Sequence, residues 1–166
     1  MSMVEVKVDG LALDMSTNAP VVILSPVNSE KVLPIWIGHA EAWAIAMELS
    51  EVDSKRPMTH DLLRTVITAL SGELEKVEIT ELREQTFYAR LLIKSNGETH
   101  TIDSRPSDSI ALALRAKAPI FANEDLFNLK TNEEPEDTPS NISNDPETLK
   151  ERLKKINPED FGKYSL

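Results

Sequence analysis

The densest gathering of reactive side chains in this chain is Asp103-Ser104-Arg105-Pro106-Ser107-Asp108, two carboxylates, a guanidinium and two hydroxyls within six residues. Pro106 suits the first position of a helix, where its missing N–H would be unpaired anyway. Arg105 precedes that proline and is barred from helical conformation, so it must lie at the corner where a strand ends and a helix begins. Free backbone N–H groups at such a corner attract anions, and an adjacent arginine strengthens the attraction. Carboxylates close by are hard oxygen ligands of the kind Mg²⁺ and Mn²⁺ prefer. Helix capping accounts for Asp108 returning to a free N–H, but it does not call for Asp103 and Arg105 as well. The chemistry implied is the handling of a phosphate.

Two other corners carry polar groups in apolar surroundings. In Gly38-His39-Ala40-Glu41-Ala42 a carboxylate stands among alanines, either solvated on a helix or held for a purpose. Thr59-His60-Asp61 reads as a cap followed by an acidic first turn, which explains Thr59 and Asp61 but does not require His60. With no cysteine in the chain, thiolate catalysis and cysteine-ligated metals are excluded. No serine–histidine–aspartate order stands out. A divalent ion that activates water is then the economical route to a hydrolysed phosphodiester. On this reading Asp103, Asp108 and Glu41 serve the metal, His60 is the general base, and Arg105 meets the phosphate charge. The rival reading is a non-catalytic binding or regulatory domain, in which the same corners are capping and ion-pair structure.

The elements that must position these groups follow from periodicity. Val4, Val6 and Val8 alternate with Glu5, Lys7 and Asp9, which predicts a half-buried strand. Further strands are expected at residues 20–24, 32–37, 77–82, 87–93, 99–102 and 119–122. Pro34 cannot donate to a ladder, so its strand belongs at an edge or a bulge. Asn96-Gly97 predicts a tight hairpin. Helices are expected over 39–52, 60–71 (with Thr59 as N-cap) and 106–117. The fold class is α+β, a mixed and hairpin-rich sheet packed with about three helices.

Composition changes after Lys130. Residues 1–130 carry 13 basic and 19 acidic side chains, and residues 131–166 carry 5 and 9. Residues 131–148 read as a flexible acidic linker, with six acids and three prolines between Asn132 and Glu147. Residues 149–166 read as a short amphipathic helix built on Leu149, Leu153 and Ile156, available to another protein. A net charge of −10 argues against a tight nucleic-acid binder. It argues less against a hydrolase whose carboxylates await a cation. No apolar run is long enough for a membrane span and no signal peptide is visible, so a cytoplasmic location is expected. Apolar strands with Trp36 and Trp43 suggest a homo-oligomeric interface.

Four runs carry a resemblance. They are residues 32–38 (VLPIWIG), residues 56–63 (RPMTHDLL), residues 86–89 (TFYA) and residues 103–113 (DSRPSDSIALA). In order and spacing over roughly Val4 to Phe127, the chain resembles the bifunctional nuclease domain family. The resemblance implies an α+β fold with a mixed sheet and nuclease activity on both RNA and DNA; taken with the residues, the expected function is a metal-assisted phosphodiesterase acting on single strands. The family's recurring polar residues fall here on Glu41, His60, Asp61, Asp103, Arg105, Ser107, Asp108 and Arg115. The resemblance adds Asp61 and Ser107 to the catalytic candidates beside His60 and Arg105.

Overall fold

The computed structural model describes residues 1–129. The chain runs β1 (Met3–Leu13), β2 (Pro20–Pro26), β3 (Leu33–Trp36), α1 (His39–Leu49), α2 (Thr59–Ala69), β4 (Gly72–Arg83), β5 (Thr86–Ser95), β6 (Glu98–Ser104), α3 (Pro106–Ala116) and β7 (Ile120–Asn123), closing on a 3-10 turn at Glu124–Phe127. All seven strands join one sheet in the order β3-β2-β1-β7-β4-β5-β6. Only β4 and β7 run parallel, so the sheet is mixed and the fold α+β. The expected linker and C-terminal helix lie outside the described residues.

Local chemistry accounts for the element ends. Asn96 and Gly97 both take positive φ, 51° and 82°, which matches the twist of the β5–β6 hairpin. Pro34 sits on the edge strand β3, where a missing donor costs nothing. β1 runs five residues beyond its alternating valines, because Gly10 makes a bulge that lets the strand continue to Leu13. The second helix begins one residue earlier than expected: Met58 is its extended N-cap and Thr59 its first residue. Asp61, at the third position, reaches back to accept from the Met58 N–H at 2.9 Å, the return half of a capping box.

The core lies between one sheet face and the helices. Val77 and Ile79 of β4, Ala89, Leu91 and Ile93 of β5, and Ala122 of β7 point to that face. Ile110 and Leu112 of α3 close over them, Ile45 lies on α1 beside α3 over β1 and β2, and all three are fully buried. Each such aliphatic side chain contributes on the order of 2 kcal/mol by leaving water. α3 is the central helix, packed on α1, α2, β4 and β5. α2 is its exposed neighbour, with Leu62, Leu63 and Val66 and the C-cap Leu70 partly or mostly open to solvent. Trp36 is also exposed, its indole N–H donating to Asp14 at 3.1 Å. Among the described residues no helix is long and apolar enough to cross a membrane.

Candidate active site

The three helices begin alike. Glu41, Asp61 and Asp108 each occupy the third position of α1, α2 and α3, in the first turn where the helix dipole favours a carboxylate. Packing then divides them between two arginines of α3.

Arg105 is the extended N-cap of α3, with φ −69° and ψ 146°, as the following Pro106 demands. Its Nε donates to Asp108 Oδ2 at 2.7 Å and its Nη2 to Glu41 Oε1 at 2.9 Å. Asp108 Oδ1 lies 3.0 Å from His60 Nε2. The result is a continuous chain, Glu41–Arg105–Asp108–His60, that links the N-terminal turns of all three helices. A carboxylate only accepts, so His60 Nε2 carries the proton in this contact. Burial pushes Asp108 up, but the hydrogen bonds from Arg105 and His60 outweigh it and hold its carboxyl below the usual carboxylate range. The same contacts, to Asp108 and then Glu41, raise Arg105 above the ordinary guanidinium value. The Arg105 side chain is 65% exposed and its guanidinium has further N–H donors beyond the two engaged.

Gly38 completes this group. A Cβ at that position would overlap the Glu41 carboxylate, so the side chain can fold back toward the N-cap of α1 only because residue 38 is glycine. Nothing local announces this contact, since Gly38 reads as a strand terminator.

Arg115 is the second hub, and it is buried. Its Nε donates to Asp61 Oδ1 at 2.8 Å, its Nη1 to the Ala111 carbonyl at 3.0 Å and its Nη2 to the Ala44 carbonyl at 3.1 Å. Asp61 is therefore turned away from Asp108 and Arg105, although His60 beside it is joined to them. Burial pushes Asp61 up, yet the Met58 N–H and Arg115 together hold it below the usual range. Ser107 is buried in the first turn of α3.

Asp103 stands apart. It lies on β6 directly across from Arg90 of β5, on the sheet face away from the helices, and lines a groove there with Thr80, Tyr88 and Thr101. Among the described residues no three histidine, aspartate or glutamate side chains gather into a ready-made ion site. The expected metal ligands Glu41, Asp103 and Asp108 are thus not brought together as one set. One guanidinium neutralises two of them, and the third belongs to another surface.

Comparison with known proteins bears on this geometry. The bifunctional nuclease domain matches residues 22–134. An uncharacterized protein of Mycobacterium tuberculosis (strain H37Rv) is 41% identical over 162 residues, covering 95% of this chain and 97% of that protein. Bifunctional nuclease 1 of Oryza sativa subsp. indica is 26% identical over 113 residues, 66% of this chain and 34% of its own length. Bifunctional nuclease 1 of Arabidopsis thaliana is 24% identical over 116 residues, 68% of this chain and 36% of its own. The chain spans about a third of these plant relatives. With the family matched across more than half of its length and both helix-capping clusters inside that match, this chain belongs to the bifunctional nuclease domain family.

Proposed function

We propose that this chain is a nuclease that hydrolyses phosphodiester bonds in RNA and DNA, with single strands as substrate. The observation that carries the reading is the Glu41–Arg105–Asp108–His60 chain at the start of α3. His60, held through Nε2 by Asp108, uses Nδ1 to take a proton from an attacking water. Arg105 turns its remaining N–H donors to the nonbridging phosphate oxygens, where negative charge grows in the transition state. The water oxygen bonds to phosphorus, the P–O bond to the leaving nucleotide breaks, and the proton on His60 passes to that departing oxygen. Glu41 and Asp108 fix the guanidinium. Asp61 and Arg115 act one layer deeper, holding α2 against α3 so that His60 meets Asp108.

Labelled single-stranded RNA and DNA, incubated with the protein in Mg²⁺, in Mn²⁺ and in EDTA, test this directly. Cleavage by the parent protein and its loss in Asp108→Asn are expected. Cleavage confined to the metal-containing arms would mean that Arg105 withdraws and leaves its carboxylates to an ion. One observation favours a second reading: with His60 neutral, the four groups carry more acid than base, so the guanidinium is already fully neutralised. In a purely structural clasp, Arg105→Ala would lower thermal stability and no strand would be cut.

A further inference from the structure

The face of the sheet away from the helices holds a feature that linear sequence hides. Register fixes its members: Glu78 of β4 lies across from both Arg90 of β5 and Phe121 of β7, Glu81 lies across from Tyr88, and Arg90 lies across from Asp103 of β6. Residues directly opposite in a ladder share a face. Two aromatic rings on this face are each covered by a cation. The Arg83 guanidinium sits 4.8 Å from the Tyr88 ring centroid, and Lys76 Nζ sits 5.4 Å from that of Phe121. Glu78 is nearly inaccessible and is neutralised by Lys76 at 2.8 Å and Arg90 at 2.6 Å. A groove of about 450 Å³ opens between Thr80, Glu81, Tyr88, Arg90, Thr101 and Asp103.

We infer that this groove binds single-stranded nucleic acid, stacking a base on Tyr88 and leading the strand over the β6 edge to Arg105. The inference rests on the nuclease reading and names where that enzyme would hold the nucleotides beside the bond it cuts.

Three features support it. A ring that accepts a planar guanidinium accepts a nucleobase, either on that cation or in its place, and stacking of this kind tolerates any base. The charge is also suitable: across this face Lys76, Arg83 and Arg90 balance Glu78, Glu81 and Asp103, so it does not share the acidity of the chain as a whole. Continuity is the third. β6 is the edge strand, and Asp103 in the groove is separated only by Ser104 from Arg105 in the helix-end cluster. A strand lying on Tyr88 thus has a short path around the sheet edge to the guanidinium. Asp103 and Thr101 present an acceptor and a hydroxyl to the polar edge of a stacked base. This gives Asp103 a place in recognition.

The test is binding of a fluorescein-labelled single-stranded oligothymidylate with phosphorothioate linkages, which resist hydrolysis, followed by anisotropy. Tyr88→Leu keeps apolar bulk without the ring and should weaken binding about ten- to a hundredfold, the effect of losing one stacked base. Tyr88→Phe should bind as the parent does, and circular dichroism melting should show both variants folded. Unchanged binding by Tyr88→Leu overturns the inference, as does a parent protein that binds no strand or binds the duplex as tightly. Arg105→Ala separates this inference from the cleavage reading. Strand binding retained with no cleavage by any form of the protein leaves the groove standing and removes the enzyme. Cleavage of the strand by both the parent and Tyr88→Leu at equal KM leaves the enzyme standing and removes the groove.

Discussion

Arg105 and Arg115 stand ten positions apart in and beside the same helix, and each grips the acidic first turn of a neighbouring helix. Their surroundings are opposite. The Arg115 side chain is 2% exposed, and it spends its donors on a carboxylate and two carbonyls. The Arg105 side chain lies mostly in water and keeps donors in reserve. A buried guanidinium with every contact internal can only hold structure, since any incoming ligand would have to break the helix packing first. An exposed one fixed by two carboxylates keeps its orientation and can still receive an anion. The same residue type therefore clamps at one end of α3 and is available for chemistry at the other.

The largest effect should come from the buried arginine. Arg115→Met leaves Asp61 and the Ala44 carbonyl without their donor, and should cost about 3–5 kcal/mol of stability. Chemical denaturation measures it, and a loss no greater than that of Arg105→Ala would end the contrast between the two. Arg105→Ala should behave in reverse. It should reduce stability by less than about 1 kcal/mol, because exposed ion pairs contribute little, while cleavage falls about a hundred- to a thousandfold. Melting temperature and initial rate on that single variant decide between an active site and a structural clasp.

Acid sharpens the comparison further. Asp61 and Asp108 both have folded-state pKa values below the ordinary 3.8. Their contribution to stability is therefore complete above that value and is lost as pH falls through the lower folded values. Asp61→Asn should be less stable than the parent at neutral pH and should lose less on acidification, as pH-dependent melting would show. A parallel loss in both proteins would mean that Asp61 does not serve Arg115 as a charged partner. The smallest expected effect belongs to Gly38→Ala, which should displace Glu41 and lower cleavage severalfold at a stability cost below about 1 kcal/mol. Full cleavage by this variant would show that Arg105 needs only Asp108 to hold it.

Much of this architecture was legible from residue types alone, because its causes are local. Alternating valines, Asn96-Gly97 and Pro106 each act within a few bonds, so the strand–helix order, the β5–β6 hairpin and the start of α3 could be read directly. Arg105 at the helix mouth followed from the proline after it, and its pairing with Asp108 spans a single turn. The partition of carboxylates could not be read, since Glu41, Asp61 and Asp108 occupy equivalent positions in their helices. Only the packing of α1 and α2 on α3 sends Asp61 to Arg115 and Glu41 to Arg105. Asp103 shows the same limit from the other side. Five residues from Asp108 in sequence, it lies in a strand, where alternate side chains point to opposite faces, and the pleat turns it away from the helices toward Arg90. The aromatic groove on that face was invisible for the same reason. Its residues come from β4, β5 and β6, and only the register of those pairings, shifted by the irregularities in β4, brings them side by side.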